Sequence, residues 1–310
     1  MTAPQQPGWY LERSYASGIA LATPQPKDDP FYSYTDPLDG VAPGTVLKTR
    51  HFHYHFFGFP TLLETTQLLY RSTSQTGKPT VNVTSIIKPP IQFGATKVIS
   101  YQSAYDSLNR NDEPSYAISG GLRLGGVVPN VEAAVFGPFI ADGYTVIVPD
   151  TEGQRANFAA GPEYGRNTLD SIRAAFNSST IPGDAKVAML GYSGGAIATE
   201  WAAELAPTYA PDINERLIGA AIGGVLVDPA HNLNYVEGTG FWAGVLAMAL
   251  VGIARAFEIE TELAPYLSTN GARIFHEMQT VSIVNVLGQY PGMKWADLVI
   301  PDYPTPEKLP

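Results

Sequence analysis

The sequence predicts an α/β fold: a mostly parallel sheet with helices on both faces. Three observations lead there. From about residue 97 onward, apolar runs of strand length alternate with helix-length segments. The glycine-flanked serine of Gly191-Tyr192-Ser193-Gly194-Gly195 joins one such strand directly to a helix. Before residue 90, strand patterns separated by a short turn predict an antiparallel start to the same sheet.

Taken in order, residues 1–44 are rich in Pro, Gly and charge and predict an arm without regular structure. No apolar signal-peptide core is evident, although Ala20-Leu21-Ala22 before Thr23-Pro24 has the spacing of an A-x-A cleavage site. In His51-Phe52-His53-Tyr54-His55-Phe56 a period of two puts the histidines on one strand face and the aromatics on the other. The outer two histidines would stand about 13 Å apart on a strand. That is too far for one ion, so a solvated face and no metal site are expected. Leu68 to Ser74, a Thr76-Gly77 turn and Thr80 to Ile87 predict a hairpin.

Lys97 to Ser103 is the next predicted strand, Val131 to Asp142 a helix ended by Gly143, and Tyr144 to Pro149 a strand. Asn167 to Phe176 predicts an amphipathic helix. Val187 to Leu190 is a strand, followed by Ala-rich helix formers that Pro207 should stop. Leu217 to Val227 is a further strand, expected to be buried like the others. Phe241 to Ala254 is apolar but falls short of the ~20 residues that span a bilayer. Its Ala243, Gly244, Ala247, Ala249 and Gly252 suit close packing, which predicts a buried or substrate-facing helix of a cap. Leu263 to Gly288 continues as helices, and residues 289–310 are Pro-rich and lose pattern.

At 310 residues and 45% hydrophobic, the chain can bury a large core. A net charge of −10 argues against nucleic acid and anionic membranes as partners, and suits a neutral substrate. The absence of cysteine excludes disulfides, Cys–zinc sites and thiol nucleophiles.

The serine turn carries chemistry. A strand that becomes a helix within about two residues holds the central serine in a strained backbone conformation. The neighbours must be small, and Gly191 and Gly195 meet that need. Ser193 then projects its hydroxyl at a helix N-terminus, where exposed amides and the helix dipole favour an oxyanion. The N–H of Gly194 is placed to donate to it.

Scattered stretches resemble the secretory lipase family of fungi and some bacteria, of the lipase A type. They are Asp28-Asp29-Pro30-Phe31-Tyr32; Ser100-Tyr101-Gln102 with Asp106 and Pro114-Ser115-Tyr116; Asp150-Thr151-Glu152-Gly153; Phe158-Ala159-Ala160-Gly161; and Gly191 to Ala196 with Thr199 and Trp201. Tyr209 to Asp212 and Gly223-Gly224 also fit. The resemblance implies an α/β-hydrolase fold with an inserted helical cap, secretion, no cofactor, and hydrolysis of triacylglycerols and related esters by a Ser-His-Asp triad. The implied partner is a neutral lipid or ester, with a lipid–water interface as the working surface, and no transmembrane segment. By motif, Ser193 resembles the nucleophile and Gly194 an oxyanion donor. Asp106 resembles the second oxyanion contributor, chiefly through its backbone amide; the alternative is an Asx-turn residue.

In this fold the triad runs Ser, Asp, His along the chain, and the family places both partners beyond the cap. The expectation is therefore that the acid, the histidine and the last strands lie beyond Pro310. Asp228, at a strand end, and His231 are the in-chain alternative. The expected organisation is an arm over 1–44, a core over 45–227 and a cap over 228–310. The competing functional reading is an inactive homologue that binds lipid or does nothing.

Overall fold

The structure, a computed structural model, describes residues 23–92, 94–303 and 305. The Ala20-Leu21-Ala22 triplet lies outside the described residues. Seven strands form one sheet: β1 (Val46–Phe56), β2 (Phe59–Thr73), β3 (Pro79–Ile87), β4 (Lys97–Gln102), β5 (Tyr144–Pro149), β6 (Lys186–Tyr192) and β7 (Leu217–Gly223). Their order is β1-β2-β3-β5-β4-β6-β7. The first three pair antiparallel with one another and β3 with β5; β5, β4, β6 and β7 are parallel. The chain passes from β4 to β5 on one side and then to β6 on the other. The order therefore switches at β4, and α/β sheets bind ligands in the crevice beyond the strand ends at such a point.

The helices are α1 (Pro114–Ile118), α2 (Val127–Val131), α3 (Ala133–Ala141), α4 (Gly161–Asn177), α5 (Gly194–Tyr209) and α6 (Pro211–Asn214) in the core region. After β7 come α7 (Pro229–Val236), α8 (Gly244–Phe257), α9 (Glu260–Leu263), α10 (Thr269–Glu277), α11 (Ile283–Val286) and α12 (Trp295–Leu298). On one sheet face Leu68, Tyr70, Ile86, Ile147 and Met189 pack with Leu169 and Ile172 of α4 and Ala202 and Ala206 of α5. On the other, Ile87, Ile99, Tyr101 and Val146 pack with Ile118, Phe136 and Ile140 of α1 and α3. Both faces are thus covered over the centre of the sheet, as its buried apolar strands require.

Several expectations change in detail. From Thr23 onward the predicted arm packs: Phe31 and Tyr32 are buried, and Asp29 pairs with Arg50 of β1 at 2.6 Å. The histidine alternation holds at His51 and His53, which are exposed, and then fails. A register shift between His53 and His55 turns His55 inward and leaves Phe56 44% exposed, because a bulge inverts the faces of the residues after it. Helix α4 starts at Gly161 and turns polar residues inward. Its Asn167 accepts from the Ser72 hydroxyl at 2.7 Å, Ser171 meets Thr84 at 2.8 Å, and Asp170 accepts from Tyr209 at 2.7 Å. Its Gly161 and Gly165 let Trp201 of α5 approach: a Cβ on Gly161 would lie 2.0 Å from the indole nitrogen. Pro207 sits inside the last turn of α5 instead of beyond it. Strand β7 stops at Gly223 and is not buried, with Ile218 68% and Ile222 45% exposed.

Helix α8 is the apolar segment seen in the sequence, moved three residues on. Leu246, Met248 and Val251 are buried with Ile274, Met278, Trp295 and Leu298, and the cluster reaches Leu108 and Phe158 of the core region. Phe241 and Trp242 precede the helix and are about half exposed. Among the described residues no helix is long and apolar enough to cross a membrane.

Candidate active site

Ser193 ends β6 and opens α5 with φ 54° and ψ −121°, a conformation that L residues avoid unless their surroundings impose it. The glycines explain how it is imposed. A Cβ at Gly191 would sit 2.1 Å from Gly195 O, and one at Gly195 would sit 2.0 Å from Gln102 O. Strand, turn and helix touch there with no room for a side chain. Ser193 N–H donates to Gly223 O at 2.9 Å, tying the turn to the end of β7. The Thr199 hydroxyl donates to Gly195 O at 2.8 Å and faces the Gln102 amide at the end of β4. The Ser193 side chain caps nothing on α5 and is half exposed, so it is accessible from outside.

The loop after β4 meets this turn. Asp106 has φ 37°, and its carboxyl lies against Gly194, where a Cβ would stand 1.7 Å from Oδ1. The carboxylate makes no Asx-turn hydrogen bond among the described residues, and the Asp106 carbonyl accepts from Ile283 N–H at 2.8 Å. Burial pushes the Asp106 carboxyl up to about 7, and the charge of Glu132 adds to the rise. The structure thus brings Ser193, Gly194 and Asp106 together, with a helix N-terminus beneath them.

Asp228 and His231 are arranged differently. Asp228 Oδ1 accepts from the backbone N–H of His231 at 2.9 Å, capping α7. Both residues are exposed. Among the described residues no imidazole hydrogen-bonds to Ser193: His51 engages Thr66, His53 engages Thr61 O, and the His55 Nδ1 has no partner.

Three residues with no role in the sequence analysis stand close by. Glu132 accepts from Ala104 N–H at 2.8 Å, and Glu152 accepts from Ser107 N–H at 3.1 Å. Arg255 of α8 is buried and donates to Leu108 O at 3.0 Å, Ala156 O at 3.1 Å and Gln279 O at 2.7 Å. Only Glu152 carried a signal, as part of an acidic stretch directly after an apolar strand. No group of three or more His, Cys, Asp or Glu among the described residues is placed to hold a metal.

The chain matches the family described as secretory lipase over residues 120–299. It is 38% identical to Lipase 2 of Candida albicans over 253 residues, which are 80% of this chain and 53% of that protein. A Mycobacterium tuberculosis protein named a probable inactive lipase is 31% identical over 280 residues, 88% of this chain and 62% of its own length. Candida antarctica lipase A superposes with a TM-score of 0.78 at 31% identity, covering 90% of this chain and 65% of that one. The chain thus spans 53% of the length of its Candida albicans relative. By these matches, and on a sheet shared with an α/β-hydrolase, the chain belongs to the secretory lipase family.

Proposed function

We propose that Ser193 is the nucleophile of a carboxylic ester hydrolase acting on neutral acyl esters of the triacylglycerol class. One observation carries this: the strained Ser193 turn has the Asp106 loop lodged against Gly194. Ser193 Oγ attacks the ester carbonyl and gives its proton to a base. The tetrahedral oxyanion accepts hydrogen bonds from the N–H groups of Gly194 and Asp106. The carbonyl re-forms, the alcohol leaves with a proton, and water then releases the acid from the acyl-enzyme. Action at a lipid–water interface and secretion belong to the same reading; the family's description and the apolar, half-exposed Phe241–Trp242 pair support them.

A second reading has its own support. No described imidazole reaches Ser193, and without a base a serine hydroxyl is a weak nucleophile. On that reading the chain keeps the serine turn and has no turnover. A fluorophosphonate probe and p-nitrophenyl esters separate the two. Labelling confined to Ser193, with ester turnover lost in Ser193→Ala, establishes the hydrolase. Labelling without turnover establishes the second reading, and absence of any Ser193 adduct sinks the nucleophile assignment.

A further inference from the structure

The residues between β4 and α1 hold Asp106 in a left-handed conformation, φ 37°, which a non-glycine residue keeps only when its neighbours over-determine it. Its own N–H has no acceptor among the described residues. Two carboxylates grip the loop on either side of it. Glu132 accepts from Ala104 N–H at 2.8 Å through Oε1 and from the Ser103 hydroxyl through Oε2. Glu152 accepts from Ser107 N–H through both oxygens at 3.1 Å, and is itself steadied by the Tyr164 hydroxyl at 3.0 Å.

The two glutamates differ in what else they do. Glu152 is fully enclosed, and its backbone N–H donates to Tyr105, so it is woven into the core. Glu132 is half-buried and stands at the N-cap position of α3, yet its side chain caps nothing on that helix. A glutamate there would ordinarily point to water. Instead its carboxylate is spent on Ser103 and Ala104, three and two residues before Asp106.

We propose that Glu132 is a positioning residue for oxyanion binding: its carboxylate anchors Ser103 and Ala104 so that Asp106 keeps the conformation in which its N–H stays unspent. The proposal rests on the reading of Ser193 as nucleophile. The placement has an energetic signature as well. Burial pushes Glu132 up to about 7 while the Ser103, Ala104 and Tyr101 donors pull it back. The charged form is costly at this site, and the donors around the carboxyl offset part of that cost.

The test measures Ser193 phosphonylation by a fluorophosphonate, separating the maximal rate from probe affinity, together with amide exchange of residues 104–107. Glu132→Ala should lower the maximal rate about 30- to 100-fold with affinity changed less than about threefold, as displacement of an oxyanion donor does. Glu132→Gln keeps one acceptor and the side-chain volume, and should lose only about 3- to 10-fold. In Glu132→Ala the hydrogen-bonded amides of the loop, Ala104 and Ser107, should exchange at least about tenfold faster while those of β4 hold. A maximal rate within threefold of wild type in Glu132→Ala, or a Gln variant as slow as the Ala variant, overturns the proposal. If Glu132→Ala fails to fold, a Gln variant within twofold of wild type overturns it. If wild type shows no Ser193 adduct, the nucleophile reading has failed, and amide exchange alone decides: unchanged exchange overturns the anchor.

Discussion

The two sides of Ser193 are built to different standards. On the side proposed to hold the oxyanion, Asp106 lies on Gly194, and the loop that carries it is held by Glu132, by Glu152 and by Ile283 N–H. Buried Arg255 ties Leu108, at the end of the same loop, to helix α8. On the proton-transfer side, the in-chain candidates are exposed, and Asp228 spends its carboxylate on a backbone amide. The same contrast appears in the sheet. Strand β6 lies between β4 and β7 with Val187 and Met189 buried, whereas β7, equally apolar, has Ile218 and Ile222 exposed. The difference teaches that the backbone geometry beside Ser193 is fixed by residues close to it in space, while Asp228 and His231 are not built into that arrangement.

The largest effect should come at the serine itself. Ser193→Ala should bring fluorophosphonate labelling to background, a drop of about 10³-fold or more. Adducts that persist on another residue would break the comparison at its centre. Gly194→Ala should come next. Its methyl would overlap Asp106 Oδ1, so the loop must move, at a cost of about 10² in labelling rate and about 1–3 kcal/mol in stability. A Gly194→Ala variant that labels like wild type would show that the contact is incidental.

A smaller effect is expected from pH. The Asp106 carboxyl is raised to about 7, chiefly by burial and then by Glu132, with Glu152 and Tyr164 also facing it. Below that value the carboxyl is neutral and tolerates an oxyanion beside it. Above it, two negative charges would adjoin, and the barrier rises. The labelling rate of wild type relative to Asp106→Asn should therefore fall about tenfold as pH rises through 7 towards 9. A ratio that stays flat would mean that the carboxyl does not face the developing charge.

How much of this was legible depends on the range of the signal. The Ser193 turn was readable because its constraint is local: three glycines and a strand-to-helix switch lie within a few residues. Tyr144 to Pro149 was readable to the residue for the same reason. Asp106 had no local pattern and entered through family resemblance alone. Glu132 was hidden because nothing in Val131-Glu132-Ala133 distinguishes a glutamate turned towards a distant loop from one turned to water. The inward polar face of α4 was missed because its partners, Ser72 and Thr84, lie on strands about 80–100 residues earlier in the chain. The apolar run of β7 marked a strand, but apolarity does not say what covers it, and His55 was misplaced because a bulge leaves no trace in a period-two pattern.

The smallest expected effect bears most directly on the weaker side of the comparison. If Asp228 and His231 supply the base, either alanine variant should remove most of the reactivity of Ser193, as loss of a triad member does. The geometry argues otherwise. The Asp228 carboxylate accepts from the His231 backbone N–H at 2.9 Å, which is what an aspartate does at the start of a helix, and α7 buries none of its residues. Asp228→Ala should cost about 1 kcal/mol of local helix stability, visible as faster exchange in α7. His231→Ala should leave labelling of Ser193 within about twofold of wild type, because an exposed imidazole with no hydrogen bond to the serine contributes little to its reactivity. Loss of Ser193 reactivity in both variants, with α7 still intact, would show that the pair swings in to complete a triad, and the two sides of the serine would then be equally built.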